Sequence, residues 1–278
     1  MFTLFAAAIL SIVPGDAQDP IVVTGTMSFE ERIDDYVSTL SAVESFSPMS
    51  RYEEGKYCPR VIGLSPATNA AIEQRMRTVA DAIGVKPAGE DCWTSALVVI
   101  AEDRAAMFET FKKEHGRYFR TLSRDPIDYH GMEDDVLSWS ILARIDRNGG
   151  VLPRGRNGPA RVEVPTGMTR TQAATREVVA MSVVLVDIDA ITGLSTTQVA
   201  DMALMRTLID GDPARLANPD SILAVTDAVE GESAPASLTQ WDFAYLKARY
   251  ASEPWLLGRS QRAQIRGDMR RTLLPQGD

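Results

Sequence analysis

Residues 178–209 read VVAMSVVLVDIDAITGLSTTQVADMALMRTLI, and this stretch joins a strand pattern to a helix pattern. Val178 to Ile188 is the longest run rich in β-branched residues, which predicts a strand in the core. Ser195 and Gln198 have the spacing of a capping box, so a helix is predicted to begin there. The stretch therefore predicts a buried strand followed by a packed helix.

Further strands are predicted on the N-terminal side of this stretch. Ala96 to Ala101 is a continuous apolar run, which predicts a central strand that is covered on both faces. Leu137 to Ile145 alternates, which predicts a half-buried strand, and Arg161 to Val164 is its candidate antiparallel partner. Tyr57 to Leu64 is predicted to form a short strand or turn.

Helical patterns lie between and after these strands. Ser65 is predicted to cap a helix that ends at Gly84, and Ser28 to Leu40 forms an earlier helix with its own capping box. Thr239 to Tyr250 and Ser260 to Leu274 are amphipathic, which makes the last third helical. The chain is therefore predicted to be an α+β protein with a mixed β-sheet and flanking helices.

The N-terminus predicts export. Leu4 to Val13 is a short apolar run, a Pro-Gly pair breaks it, and small residues precede a cleavage point after Ala17. Residues 1–17 are therefore predicted to be a signal peptide, which places the mature protein in the periplasm or outside the cell. Because no Lys or Arg precedes the run, a short membrane anchor or a misassigned start codon stays an alternative. Residues 18–55 are interpreted as a tail, a helix and a polar linker, and residues 56–278 as one α+β domain.

Cys58 and Cys92 are the only cysteines in the sequence. In an oxidising compartment such an isolated pair favours a disulfide, and the alternative is two separate buried thiols. Neither belongs to a C-x-x-C motif, so the pattern does not favour a redox or zinc site.

Composition limits the partners. The net charge is −9, which argues against general nucleic-acid binding and against broad adhesion to anionic lipid. The motifs G-x-S-x-G, G-x-G-x-x-G and G-x-x-x-x-G-K-[ST] do not occur, so no dinucleotide, P-loop or other cofactor is predicted. An envelope protein or a small ligand is the expected partner, with at most weak membrane contact.

Two groups of acidic residues are candidates for chemistry. His130 lies among Asp128 and residues 133–135, but this spacing is not typical of zinc sites, so a solvated acidic loop and no metal are predicted. Asp187 and Asp189 share one face at the end of the predicted central strand, and Asp201 follows in the next helix. These three carboxylates are weak catalytic candidates for an acid-using hydrolase. The alternative is that they solubilise the loop and cap the helix that begins at Ser195.

Arginines form two groups. Arg262, Arg266 and Arg270 recur every four residues on the last helix, which predicts a basic stripe that is free to bind an anion or an acidic partner. The alternative is an ordinary solvated helix face. A second group flanks the Gly- and Pro-containing loop at 146–159 and consists of Arg147, Arg154, Arg156 and Arg161.

Two short resemblances concern the ends of the chain. Residues 18–25 read QDPIVVTG and resemble the TonB box of outer-membrane receptors from sphingomonad-type bacteria. This resemblance implies a segment that adds to a partner's sheet edge, and a mobile tail is the alternative. The order of strand, Ser195 helix, Ser221-Ile222-Leu223 and Leu238-Thr239-x-x-Asp242 resembles the end of a metzincin-type zinc peptidase.

The peptidase resemblance implies a fold or a relative that has lost its metal. Ala200 and Leu204 stand where that family has zinc-binding histidines, and Asp201 stands where it has the general-base glutamate. Asp210 takes the place of the third ligand, and Leu223 replaces the methionine of the turn below the metal. Since catalytic zinc needs about three protein ligands, no metal is expected here.

The whole chain also resembles uncharacterised exported proteins of sphingomonad-type alphaproteobacteria. The stretches that carry this resemblance are Cys58-Pro59-x-x-x-Gly63-Leu64, the strand after Cys92, and Gly193-Leu194 leading to Gln198-x-x-Asp201. The sequence is therefore interpreted as an exported, non-catalytic binding or interaction domain. A degenerate, metallopeptidase-like hydrolase that uses the acidic residues is the alternative.

Overall fold

The computed structural model describes residues 27–41, 46–119, 127–152, 172–209, 211, 220–226 and 234–274. The strands are β1 (Pro59–Ile62), β2 (Ala96–Ala101), β3 (Tyr129–His130), β4 (Val136–Ile145) and β5 (Arg176–Asp187). The helices are α1 (Phe29–Leu40), α2 (Pro66–Ala82), α3 (Arg104–Glu114), α4 (Thr196–Leu208), α5 (Gln240–Ala251) and α6 (Gly258–Leu273).

The strands form one mixed sheet in the order β1-β2-β5-β4-β3. β1, β2 and β5 are parallel, whereas β4 runs antiparallel to β5 and β3 antiparallel to β4. This arrangement confirms the predicted α+β class with a mixed sheet and flanking helices. The candidate partner strand Arg161 to Val164 lies outside the described residues, and the observed partners of β4 are β5 and β3.

The sheet separates two cores because alternate side chains of β5 point to opposite faces. Val184 and Val186 belong to the larger core, which is built with α1, α2, α4, α5 and α6. Val183 and Leu185 belong to a smaller, aromatic core on the other face, where Phe108 of α3 packs against Trp139 of β4. The prediction of a central strand buried on both faces is confirmed for β2, and the predicted core strand is found as β5.

Side-chain caps fix where several helices begin. The predicted capping boxes Ser28–Glu31 and Ser195–Gln198 are both formed, and Ser65 accepts from the N–H of Thr68 as the cap of α2. Each cap satisfies N–H groups that a helix start leaves without a backbone partner.

The segment before Cys58 belongs to the larger core. Tyr36 and Leu40 of α1 are fully buried, and so is Met49 in the stretch interpreted from sequence as a polar linker. The carbonyl of Arg51 accepts a 2.9 Å hydrogen bond from the N–H of Val179 in β5. α1 therefore packs against α6, and Met49 and Arg51 pack against the larger core and β5, so these residues are not set apart from the main domain.

Cys58 and Cys92 form the predicted disulfide. Cys58 is fully buried, and its N–H and C=O are both bonded to Ser95, at 2.8 Å to the hydroxyl and 3.0 Å from the N–H. The Nη2 atom of Arg77 lies 3.1 Å from the Cys92 sulfur. The bridge thus connects the start of β1 with the chain leading into β2.

Candidate functional site

Asp201, the central acidic candidate, is engaged on both oxygens. It is fully buried in α4, and the Nε and Nη2 atoms of Arg75 in α2 donate to its two oxygens at 2.8 Å each. The N–H of Leu238 donates to the same carboxylate at 2.7 Å. Asp201 therefore ties α2, α4 and the approach to α5 together.

Asp187 and Asp189 have different surroundings. Asp187 accepts a 3.4 Å bond from the N–H of Arg104 at the start of α3 and a 3.1 Å bond from the N–H of Asp189. Asp189 is exposed. Among the described residues, these carboxylates share no hydrogen-bond partner with Asp201. The alternative, in which they cap the Ser195 helix, is wrong, because the predicted capping box of Ser195 and Gln198 supplies that cap.

The positions that resemble zinc ligands face the core. Ala200 and Leu204 are fully buried in the larger core, and Leu223 is buried in a short 3₁₀ turn at Ile222–Thr226. Asp210 lies outside the described residues. Within the described ranges, no three His, Cys, Asp or Glu side chains are grouped so that they could hold a metal ion.

The basic stripe of α6 contacts α1. Arg266 forms an ion pair with Asp34 at 2.5 Å, and Arg270 pairs with Glu30 through two nitrogens. Arg262 donates to the carbonyl of Ser41 at 3.3 Å, and burial lowers its pKa. The prediction that this stripe is free for a partner is therefore wrong, because it packs against acidic and carbonyl groups of the same chain.

A cavity lies elsewhere among the described residues, and we call it the Arg176 cleft. It has a volume of about 800 Å³ and lies between residues 51–54, the start of β5, the loop after α5, and α6. Its charged lining consists of three guanidinium groups and four carboxylates: Arg51, Arg176, Arg271, Glu53, Glu54, Glu253 and Asp268. None of the three carboxylates singled out from sequence lines this cleft.

Arg176 is one of two buried cations in the cleft, the other being Arg51. Only 7% of Arg176 is exposed, and its Nη2 atom donates to Glu53 at 2.5 Å. Its Nε and Nη1 atoms are shielded from solvent and have no hydrogen-bond partner among the described residues. The guanidinium carbon lies 5.0 Å from the ring centre of Trp255, which places an aromatic face against the charge.

Arg51, which lines the same cleft, is bonded to main-chain carbonyls. It donates to the carbonyl of Ser252 at 2.9 Å and to that of Arg249 at 3.2 Å, so its charge lies at the C-terminal end of α5. Cations are stabilised there by the exposed carbonyl dipoles. Next to it, burial raises the pKa of the Tyr52 hydroxyl well above its usual value, so this phenol stays protonated and donates to the carbonyl of Ser95.

The loop that carries Trp255 is fixed on both sides. The N–H of Glu253 donates to Gln264 at 3.2 Å, and the carbonyl of Glu253 accepts from Gln261 at 3.0 Å. On the other side, the carbonyl of Trp255 accepts from the N–H of Ala173 at 2.8 Å. The cleft therefore has a wall that is anchored to α6 and to the chain before β5.

Sequence reasoning missed Arg176, which lines this cleft, and Trp255, whose ring packs against Arg176. Arg176 precedes the apolar run that predicted β5, and Trp255 lies between two predicted helices, so no periodic pattern marks either. Arg147 was grouped with a loop, and its guanidinium carbon lies 4.9 Å from the Trp255 ring centre. Two arginines that pack against one aromatic ring would mark such a site, but only the tertiary fold brings these three residues together.

Comparison with protein-family models, with curated proteins and with solved structures returned no match. Among the helices that the structure describes, none is long and apolar enough to cross a lipid bilayer.

Proposed function

We propose that this protein is an exported, non-catalytic binding domain that holds a small polar ligand in the Arg176 cleft. The observation that carries the proposal is Arg176 itself, a cation that is 7% exposed and keeps two donor atoms without a described partner. A buried donor without an acceptor costs about 1–3 kcal/mol, and a ligand oxygen that accepts from it recovers this free energy. The cleft, at about 800 Å³, also falls in the usual size range of small-molecule sites.

The hydrolase alternative lacks comparable support. A carboxylate that acts as a general acid or base must reach a substrate proton within hydrogen-bond distance. Asp201 is fully buried and already accepts from Arg75 and Leu238, while Asp187 accepts from backbone N–H groups. The cleft offers charged groups for recognition, and this favours binding over hydrolysis.

Export is the second part of the proposal, and the disulfide supports it because such bridges persist in oxidising compartments. We expect mass spectrometry of protein from its native host to show a mature chain that begins at Gln18. The same spectrum should show a mass lower by two hydrogens, which reduction restores. A chain that keeps residues 1–17 in the cytoplasm would contradict this prediction.

Ligand binding in the cleft is tested by filling it. Gly267 lies in α6 and lines the cleft, and an added Cβ there meets nothing closer than 3.7 Å. Leucine at this position is therefore expected to occupy the cleft without disturbing the fold, since it also improves helix propensity over glycine. A thermal-shift screen with amino acids, short peptides, sugars, dicarboxylates and organic phosphates should find ligands that stabilise the native protein.

Gly267→Ala is the matched control for Gly267→Leu. Alanine raises helix propensity similarly and adds only one carbon to the cleft, so it should keep ligand binding, whereas Gly267→Leu should abolish it. Ligands that stabilise both variants equally would show that they bind elsewhere, and the proposal would then be wrong.

A further inference from the structure

We infer that the ligand of the Arg176 cleft is a zwitterion, an amino acid or short peptide whose carboxylate binds Arg176 and whose ammonium group binds Glu253. This inference rests on the proposed function and adds the chemical class of the ligand. It follows from which charged groups of the cleft are already used by the chain itself.

Arg176 has two donor atoms that have no hydrogen-bond partner among the described residues. Arg271 is paired with Asp268 and is 75% exposed, so water screens its charge, and Arg51 is bound to main-chain carbonyls at the end of α5. Arg176 donates from Nη2 to Glu53, whereas Nη1 on the same edge of the guanidinium has no described partner. Nη1 is shielded from solvent, so a ligand carboxylate has to displace Glu53 and uncover this atom before it can form the two parallel bonds that arginine favours.

Glu53 is the group that the carboxylate of the ligand would displace from Arg176. Its side chain is 43% exposed, while the Arg176 side chain is 7% exposed. Glu53 can turn into water, but a buried Arg176 without a partner is costly, so the exchange is favourable only when the carboxylate of the ligand takes the place of Glu53. The ligand then replaces one bond to Glu53 by two bonds to its own carboxylate.

Glu253 is the carboxylate of the cleft that forms no ion pair with a cation among the described residues. Glu53 is held by Arg176, Glu54 by Lys86, and Asp268 by Arg271. Glu253 receives a single long bond among the described residues, at 3.4 Å from the N–H of Trp255.

The backbone of Glu253 is anchored to α6, so its carboxylate is held at the cleft without being neutralised. Trp255 contacts both groups, since its ring lies against Arg176 and its N–H bonds Glu253.

The overall charge of the lining favours a zwitterion over an anion. Four carboxylates outnumber three guanidinium groups in the cleft, so a dianion such as a phosphate ester would be repelled by the excess negative charge. A ligand that carries both signs can use Arg176 and neutralise Glu253 together. Amino acids and short peptides have this chemistry and fit within the cleft volume.

The test uses dialanine in three forms that differ by one charge each, measured by calorimetric titration of the full mature protein. Dialanine with free ends should bind. N-acetyl-dialanine, which lacks the ammonium group, and dialanine amide, which lacks the carboxylate, should each bind at least about tenfold more weakly, since one charge-assisted contact is lost.

The variants assign each charge to its residue. Arg176→Gln should remove the preference for the free carboxylate, and Glu253→Gln should remove the preference for the free ammonium group. Glu102→Gln, which changes an exposed carboxylate outside the cleft, serves as the control and should leave both preferences unchanged. Because Arg176→Gln alters a buried group, Glu53→Gln gives a second measurement: it removes the competing carboxylate and should tighten dialanine binding several-fold.

The outcomes separate this inference from the proposed function. Equal binding of the three dialanine forms, or binding that Glu53→Gln and Glu253→Gln leave unchanged, overturns the zwitterion. If dialanine does not bind but another compound class does, and Gly267→Leu blocks that class, the cleft is a binding site with a different ligand. If no class binds in a way that Gly267→Leu affects, both the inference and the proposed function are wrong.

Discussion

Replacing Asp242 with alanine is expected to lower the free energy of unfolding by about 3–5 kcal/mol, because each buried donor left without an acceptor costs about 1–3 kcal/mol. Asp242 is fully buried at the start of α5. Its carboxylate accepts from the Tyr36 hydroxyl at 2.5 Å, the Ser221 hydroxyl at 2.7 Å and the N–H of Ile222 at 2.8 Å. It also accepts from the N–H of Thr239 at 2.9 Å.

Three of these four donors are buried together with the carboxylate, namely those of Tyr36, Ser221 and Ile222. Burial, together with the nearby Asp242 carboxylate, raises the pKa of the Tyr36 hydroxyl well above its usual value, so the phenol stays protonated and needs an acceptor. Tyr36 belongs to α1, and Ser221 directly precedes the 3₁₀ turn. Loss of the carboxylate therefore loosens α1, this turn and α5 at once.

Urea denaturation followed by circular dichroism measures the effect. Asp242→Asn should cost less than Asp242→Ala, since the amide keeps one acceptor oxygen. Asp220→Ala is the control, because the Asp220 side chain is 42% exposed and pairs with Arg32 at the surface, a contact worth about 0–1 kcal/mol. Equal losses for Asp242→Ala and Asp220→Ala would show that the buried network contributes no more than a surface pair.

Local sequence patterns predicted helix starts and a buried strand because these depend on interactions between residues that are close in sequence. The capping boxes at Ser28 and Ser195 depend on residues three apart, and they are formed as the spacing requires. The apolar run at Ala96–Ala101 gave a strand buried on both faces, since a continuous run leaves no polar face for water.

The basic stripe shows where local patterns fail. Helical spacing placed Arg266 and Arg270 on one face of α6, but it gave no partner for that face. α1 carries Glu30 and Asp34 with the same four-residue spacing, and these acids match the arginines in reverse order. The complementary spacing was present in the sequence, yet pairing two helices more than 200 residues apart requires the tertiary fold.

The Arg176 cleft could not be predicted from the sequence for a related reason. Its walls come from residues 51–54, the start of β5, the loop after α5, and α6, which are distant in sequence. Arginine is ordinarily exposed, so its burial at position 176 depends on Trp255 and Glu53 lying against it. A buried charge with spare donors is a property of the assembled fold and not of any single segment.

Removing the disulfide is expected to lower the free energy of unfolding by about 3–4 kcal/mol, because a bridge across this many residues restricts the unfolded chain. Cys58 and Cys92 are 34 positions apart. The substitution to test is Cys58→Ala with Cys92→Ala, since a serine hydroxyl at the fully buried Cys58 would need a partner. The folded state should persist, because Cys58 keeps its hydrogen bonds to Ser95 at 2.8 and 3.0 Å.

The dependence of unfolding on urea distinguishes an effect on the unfolded chain from an effect on the folded state. The double alanine variant should show a steeper urea dependence, because its unfolded chain is no longer cross-linked and exposes more surface. Ser95→Ala is the matched control: it removes the hydroxyl that accepts from the Cys58 N–H but leaves the cross-link intact. This control should lower stability with an unchanged slope. If the double variant loses less than about 1 kcal/mol, chain restriction by the bridge is not what stabilises this fold.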